Sequence, residues 1–235
     1  MKPLITKINK ILISRFGVPK RNKAETDPVD ALIATILSQN TTDKNSYKAY
    51  KNLKTNFKNW NEVASAKQKM IEQNIRVGGL AKQKAKSIKT ILNELLKQKG
   101  KVTLDYLKKL PNDDVISELI QFNGVGVKTA SCVLLFSLQR NVCPVDTHVH
   151  RTANRIGLIK TKSPDKTFEL LNKNLPAGTA HSFHTNLIKL GRDICKSAKP
   201  ICTICPLLEI CTYEGKNMLP ISKLTKNDFL LLDNV

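Results

Sequence analysis

Four cysteines near the C-terminus constrain this chain more than any other feature. Cys195, Cys202, Cys205 and Cys211 follow the spacing C-x6-C-x2-C-x5-C within one short stretch. Thiolates so close in sequence can surround one centre, and soft sulfur ligands select zinc or an iron–sulfur cluster. Structural zinc sites more often pair two separated C-x2-C knuckles, whereas only Cys202 and Cys205 form one here. The irregular spacing therefore favours a cubane cluster, and the clustering disfavours four unrelated buried cysteines.

The chain also carries a large excess of positive charge. Lysine and arginine number 39 against 19 acidic residues, which gives a formal charge of +20 at pH 7. Such an excess favours a polyanionic partner, and nucleic acid is the first candidate. The alternative is a generally basic cytosolic protein, such as a ribosome-associated one. Nucleotide bias in the genome can also contribute, because lysine far outnumbers arginine.

The sequence shows no export signal and no membrane span. Apolar residues near the N-terminus recur at helical spacing and are interrupted by Lys7, Asn9 and Lys10, which predicts an amphipathic helix. No stretch is long and apolar enough to cross a membrane. We therefore expect a cytoplasmic protein, nucleoid-associated if prokaryotic, in which clustered cysteines bind metal in preference to forming disulfides. Cys132 lies in an apolar segment and is expected in the core.

The apolar pattern predicts an all-α fold, because no clear alternating strand pattern occurs. Asp27 is expected to cap a helix that begins at Pro28, and Gly157 to end a helix that begins at Asp146. Val127–Leu138 and Thr179–Cys195 are each expected to form one continuous helix. Further helices are predicted at the N-terminus, through Tyr47–Leu53, at Lys82–Leu96, at Pro111–Ile120 and from Ser163 onward.

A helix–hairpin–helix motif is the second chemical signal. In Gly124-Val125-Gly126, two glycines flank one valine, so the backbone can turn with positive φ and without a Cβ obstruction. The turn exposes amide N–H groups that can hold a DNA phosphate without reading sequence. Lys128 follows in the first helical turn, where the helix dipole favours the neutral, nucleophilic amine. Taken alone, the motif also fits a plain interhelical turn and a solvated lysine.

Asp146 carries the third signal, in the run Val145-Asp146-Thr147-His148. It precedes a predicted helix, so an ordinary N-cap is one interpretation. The functional interpretation is a carboxylate that stabilises positive charge on a sugar or accepts a proton. His148 and His150 do not share a helix face, which disfavours a joint metal site.

Together, the hairpin with Lys128, the run around Asp146 and the four-cysteine stretch resemble the endonuclease III family, which are helix–hairpin–helix DNA glycosylases with AP lyase activity. The resemblance runs from about Asp27 to Cys211, with the motifs in the same order and at compatible spacing. It implies that Lys128 attacks C1′ of the damaged nucleotide, expels the base and forms a Schiff base, after which β-elimination nicks the strand. It makes Asp146 the catalytic aspartate. It also implies a [4Fe–4S] cluster on Cys195, Cys202, Cys205 and Cys211.

The resemblance further implies how the duplex is held. Gly124, Val125 and Gly126 would contact DNA at the hairpin. Leu80 matches a family residue that wedges into the duplex when the base flips out. Gln39 or Asn40 matches the family residue that fills the vacated space. Both insertions would help offset the cost of extrusion. Which of Gln39 and Asn40 does so stays open.

The sequence departs from the family pattern in the hairpin. It opens Phe122-Asn123-Gly124 where Leu-Pro-Gly is usual, and Val127 replaces a basic residue. These departures bear on the substrate range more than on the chemistry. The expected substrates are oxidised or ring-saturated pyrimidines. The alternatives are a mismatch or 8-oxoguanine glycosylase on the same scaffold, and a non-catalytic DNA-binding iron–sulfur protein.

The implied architecture is two helical domains with a DNA-binding cleft between Lys128 and Asp146. Residues 24–140 would carry the hairpin, residues 1–23 with 141–212 would hold the cluster, and 213–235 would form a tail. The expected partner is double-stranded DNA that contains damaged bases or abasic sites, with no membrane, and the chain is expected to act as a monomer.

Overall fold

The computed structural model describes residues 1–21, 26–220 and 231–235, and all regular elements among them are helical, as predicted. None of the described helices is long and apolar enough to cross a membrane. The α-helices of these residues are α1 (Lys2–Phe16), α2 (Pro28–Ser38), α3 (Asp43–Asn56), α4 (Trp60–Ser65), α5 (Gln68–Ile75), α6 (Ala81–Lys99), α7 (Asn112–Ile120), α8 (Val127–Cys132), α9 (Thr147–Ile156), α10 (Pro164–Lys173) and α11 (Ala180–Lys189).

The chain divides into two compact units. The first, called the hairpin unit below, falls within Asn22–Gln139 and Phe229–Val235. The second, called the cysteine unit, falls within Met1–Arg21 and Arg140–Asp228. The expected boundary at residues 23 and 24 lies outside the described residues, as does the stretch 221–230 of the expected tail.

The hairpin unit is built around α2. This helix contacts α3, α6 and α8, and its apolar side chains are buried on all faces, as expected for a helix at the centre of a core. Asp27 caps it as predicted, since its Oδ1 accepts a hydrogen bond from Val29 N at 2.8 Å. Pro28 then occupies the first turn, where a backbone N–H would have no intrahelical acceptor, so the lack of this group in proline costs no hydrogen bond.

Two short helices of this unit, α4 and α5, are absent from the sequence prediction. Both pack against α6. Trp60 begins α4 and is buried, with its indole N–H donating to Asp30 Oδ1 at 2.7 Å. Ile71 and Ile75 bury the inner face of α5. Helices of 6 and 8 residues show too few turns for apolar periodicity to identify them.

The two predicted long helices, 127–138 and 179–195, each change to π-helix partway. α8 passes into a π-helical segment at Val133–Ser137, and α11 passes into one at Leu190–Ile194. The two predicted helices are therefore present, but the second part of each is π-helical and not α-helical. A π-helical turn holds an extra residue, and the 3.6-residue apolar pattern cannot reveal such a local change.

The cysteine unit is centred on α11, which packs against α1 and α9. The predicted amphipathic α1 buries Ile5, Ile8 and Leu12. Polar contacts fix its position, because Ser182 Oγ donates to Asn9 Oδ1 at 3.1 Å. Because α11 leads through the π-helical segment Leu190–Ile194 into Cys195, this packing holds α9 next to the start of the cysteine-rich stretch.

Candidate functional site

The predicted hairpin forms a closed turn between α7 and α8. Val125 N donates to Phe122 O at 3.0 Å, and Gly124 has the positive φ of +86° that favours glycine. Gly126 differs from the prediction, because its φ is −105°, which any residue can adopt. An added Cβ at Gly124 would lie 3.1 Å from Ser87 Oγ, whereas one at Gly126 would meet nothing within 4 Å. The backbone therefore requires only the first glycine, and the second leaves an open surface.

Lys128 is the second residue of α8 and is half-buried. Gly126 is the N-cap of the helix and offers no side-chain cap, and the first turn has no acidic residue. Its first N–H groups and its dipole thus favour an anion beside the helix. Ser131 Oγ donates to Val127 O at 2.8 Å and to Lys128 O at 3.0 Å, which steadies the turn that carries the amine.

One side of α6 joins the hairpin to the loops expected to enter DNA. Leu80, Lys84 and Ser87 follow i, i+4, i+7 spacing and so lie on the same side of the helix. Ser87 Oγ donates to Asn123 O at 3.0 Å, in the hairpin. Gln39 also reaches the hairpin, because its Nε2 donates to Gly124 O at 3.4 Å. A single pocket is lined by residues from all three loops, among them Gln39, Asn40, Leu80 and Gly124.

Two of these loop residues adopt a left-handed backbone conformation. Asn40 has φ 52°, and Leu80 has φ 49° with ψ 34°. This region costs a residue other than glycine about 1–2 kcal/mol, and asparagine tolerates it better than leucine does. Leu80 also leaves 51% of its surface exposed. Strain and an exposed apolar side chain together are typical of a functional loop.

Asp146 lies in the cysteine unit, where it is half-buried and forms the N-cap of α9. Its Oδ1 accepts a hydrogen bond from Val149 N at 2.8 Å, so the capping interpretation is correct. The cap engages one of the two carboxylate oxygens. His184 Nδ1 donates to Pro144 O at 2.9 Å, and Asn172 bonds both the N–H and the carbonyl of Cys143. These contacts hold the backbone that leads into Asp146.

The two histidines that follow have different partners. His148 Nδ1 accepts a hydrogen bond from Arg151 Nη2 at 3.1 Å, because a guanidinium can only donate. Burial lowers the pKa of His148, which favours the neutral ring. His150 Nδ1 instead lies 2.7 Å from Thr167 Oγ1.

The four predicted ligands, Cys195, Cys202, Cys205 and Cys211, line one small cavity in the cysteine unit. Burial, and to a smaller extent the negative charge of the other three thiolates, raises the pKa of the Cys205 thiol to about 11. Four thiolates in this cavity would repel one another unless a cation lay between them. Among the described residues, however, no group of three or more His, Cys, Asp or Glu side chains is arranged to hold a metal ion.

Two arginines of α9 fix the backbone around these cysteines. Arg151 Nε donates to Cys195 O at 3.1 Å. Arg155 donates to Lys196 O at 2.7 Å and to Ser197 O at 2.8 Å. The guanidinium of Arg155 also places Nη1 3.8 Å from Cys195 Sγ. In donor type and in adjacent positive charge, though not in the present arrangement of the side chains, the site matches what a thiolate-bound cluster with net negative charge requires.

Several residues of these sites are absent from the sequence prediction, namely Lys84, Ser87, Arg151, Arg155 and His184. Only Lys84 leaves a recognisable signal. It occupies the apolar stripe of α6, one turn before Ile88, where a lysine is unexpected. The others act through contacts to backbone carbonyls that are distant in sequence, and no local pattern reports such contacts.

Comparison with known proteins gives consistent matches. Residues 33–177 match the model of the HhH-GPD superfamily of base excision DNA repair proteins. An Arabidopsis thaliana protein that is provisionally named a DNA glycosylase is 44% identical over 76% of this chain, which spans 61% of that relative. Endonuclease III of Thermotoga maritima is 36% identical over 89% of this chain and 93% of the relative. A solved structure of a trapped endonuclease III–DNA covalent intermediate matches with a TM-score of 0.74 and 30% identity, over 90% of this chain and 96% of that one.

Proposed function

Because the chain belongs to the endonuclease III family of the HhH-GPD superfamily, we propose that it excises damaged bases through Lys128 and then nicks the strand. It is a base-excision DNA glycosylase with AP lyase activity. The observation that carries the role of Lys128 is its position in the first turn of α8, directly after the hairpin. The covalent DNA intermediate trapped for the related endonuclease III supports the same type of chemistry.

The proposed reaction begins when the neutral Lys128 amine attacks C1′ of the damaged nucleotide. The base leaves with the electron pair of the glycosidic bond and takes up a proton. Of the two amine protons, one balances the proton gained by the base and the other goes to O4′ as the C1′–O4′ bond breaks and the sugar ring opens, which leaves a Schiff base between Nζ and C1′. Loss of a C2′ proton then drives out the 3′-phosphate by β-elimination, and water releases the lysine. Asp146 would stabilise the positive charge that develops on the sugar.

The proposed substrates are oxidised or ring-saturated pyrimidines in double-stranded DNA, together with abasic sites. The family resemblance supports this class, and related adenine or thymine mismatch glycosylases without lyase activity do not have lysine at this position. A mismatch or 8-oxoguanine specificity is the alternative on the same scaffold. A DNA repair role also supports a cytoplasmic location, on the nucleoid if the cell is prokaryotic.

The proposed cofactor is a [4Fe–4S] cluster on Cys195, Cys202, Cys205 and Cys211, which would supply a structural centre for the surrounding basic loop. Their common cavity and the charge of Arg155 support it. Metal analysis of anaerobically purified protein tests the proposal. About four iron atoms per chain, the content of this cluster type, would support it, and stoichiometric zinc without iron would contradict it.

Borohydride trapping on a panel of duplexes tests the nucleophile and the substrate together. The panel holds thymine glycol, 8-oxoguanine, a mismatch and a pre-formed abasic site. We expect a covalent adduct with thymine glycol for the wild type, none for Lys128→Ala, and an undiminished adduct for Lys109→Ala, which removes the same charge from an exposed position of the hairpin unit. Absence of any adduct with wild type, or equal trapping by Lys128→Ala, would contradict the lysine mechanism. Binding without excision of any lesion would favour the non-catalytic alternative.

A further inference from the structure

Lys84 is a buried lysine that the proposed chemistry does not use. It is 3% exposed, and its Nζ donates to Leu37 O at 2.8 Å and to Gly78 O at 2.9 Å. Burial lowers the pKa of its amine, so keeping it in the core has a cost that these two hydrogen bonds must offset. The acceptors shown for this buried ammonium are both backbone oxygens. This indicates that Lys84 positions the backbone.

The two acceptors belong to the two loops that are expected to enter DNA. Leu37 O lies in the last turn of α2, where carbonyls lack intrahelical donors and the helix dipole attracts a cation. Gly78 ends a 3₁₀ turn, Arg76–Gly78. Leu37 comes three residues before the left-handed Asn40, and Gly78 comes two residues before the left-handed Leu80. The ammonium therefore joins the chain segments that lead into the two strained residues.

The loops are also in close contact at this point. An added Cβ at Gly78 would lie 3.3 Å from Ala49 Cβ and 4.0 Å from Leu37 O. The backbone N–H of Lys84 donates to Leu80 O at 3.0 Å, so the same residue fixes the Leu80 loop through its main chain. Lys84 thus holds Leu80 by the backbone and the base of both loops by the side chain.

We propose that Lys84 is a positioning residue that couples the Gln39–Asn40 loop to the Leu80 loop, so that both enter the duplex in one fixed arrangement. This inference rests on the proposed function. Groups that must insert together lose less freedom when their relative position is set in advance. Extrusion of a damaged base must break its pairing and stacking, a cost that the two insertions are expected to offset, whereas an abasic site has no base to unstack. The coupling should therefore serve the first step much more than the second.

Lys89 offers a matched control on the same helix. Its Nζ donates to Ala64 O at 2.9 Å and to Ala66 O, at the end of α4, and it is partly buried. Lys84→Met and Lys89→Met each remove one ammonium and two hydrogen bonds to terminal carbonyls. Only the carbonyls bonded by Lys84 lie beside the loops expected to enter DNA.

The experiment compares these variants in the full-length protein by three measurements. These are single-turnover excision of thymine glycol, nicking of a pre-formed abasic site, and fluorescence of 2-aminopurine placed beside the lesion as a probe of base extrusion. For Lys84→Met we expect excision to fall roughly tenfold or more, the effect of one good charged hydrogen bond. The increase in 2-aminopurine fluorescence on binding should become smaller in parallel. The rate of nicking should change less than about threefold, which is near the usual error in comparing the free energies of two variants. Lys89→Met should leave all three readouts close to wild type.

Three outcomes would overturn the inference. One is wild-type excision and fluorescence in Lys84→Met. Another is an equal loss of excision and nicking in that variant, and the third is the same selective loss in Lys89→Met. If Lys84→Met does not fold, Lys84→Gln, which keeps an amide donor, must show the selective loss at a smaller size. If the wild type itself excises no lesion, the proposed function fails rather than the role of Lys84.

Discussion

The two hairpin glycines should respond in opposite ways to the same substitution. Gly124 has φ +86°, and an added Cβ would lie 3.1 Å from Ser87 Oγ. Gly126 has φ −105°, and an added Cβ would meet nothing within 4 Å of the protein. Gly124→Ala therefore strains the fold, whereas Gly126→Ala adds a methyl group to the open surface where a DNA phosphate is expected.

The sizes of these effects follow from the geometry. Alanine at the left-handed conformation of Gly124 costs about 1–2 kcal/mol. The tight contact also displaces Ser87 Oγ from Asn123 O, and losing a neutral hydrogen bond costs about 1 kcal/mol. Alanine restricts the unfolded chain, which returns about 0.4–1 kcal/mol at either position. We expect Gly124→Ala to lower the free energy of unfolding by about 1–2.6 kcal/mol, and Gly126→Ala to leave it unchanged or slightly raised.

Thermal melting and duplex binding separate the two effects. At roughly 2–4 °C per kcal/mol, Gly124→Ala should lower Tm measurably and Gly126→Ala should not. Fluorescence anisotropy with a duplex that carries an abasic-site analogue should show about tenfold weaker binding for Gly126→Ala, the loss of one phosphate contact. A destabilised Gly126→Ala variant, or one that binds DNA like wild type, would refute the assignment of Gly126 to the phosphate contact.

Three further predictions follow from the same structure. Gly157→Ala should destabilise the protein more than Gly100→Ala, as measured by chemical denaturation, because both glycines have positive φ but a Cβ at Gly157 would also collide with Thr212. Equal losses would contradict that contact. Cys205→Ala should lose the bound iron while Cys132→Ala, which alters a buried residue outside the cavity, keeps it in metal analysis of the purified proteins. Duplex affinity should fall steeply with salt, since a chain of charge +20 releases counterions on binding, and a flat salt titration would exclude this electrostatic contribution.

The sequence predicts the helices with clear end signals and misses those without them. Asp27-Pro28 and Gly157 mark true helix ends because a cap and a left-handed glycine are local effects. The π-helical segments at Val133–Ser137 and Leu190–Ile194 leave no such mark, since the apolar pattern continues through them. Their position depends on packing in the folded chain, which apolar periodicity does not encode.

The candidate site divides in the same way. Lys128, Asp146 and the four cysteines are recognisable because their chemistry depends on residue type and spacing, although their roles stay predictions. The contacts that support them cannot be predicted, because Arg155 and Lys84 donate to carbonyl oxygens, and every residue type presents the same carbonyl. The side-chain donor of such a bond can be identified from the sequence, but its backbone acceptor cannot.

Backbone conformation explains why the expected DNA-binding features of the hairpin unit depend on residues that the sequence does not place at the DNA. Asn40 and Leu80 are both held in a conformation that each would avoid in a free chain. Such strain persists only where surrounding contacts over-determine it. Lys84 supplies two of those contacts, and Ser87, one turn further along α6, supplies the contact to the hairpin. The arrangement of the residues expected to insert is thus set by contacts from one side of α6, and substitutions there should alter base extrusion while leaving the Lys128 amine in place.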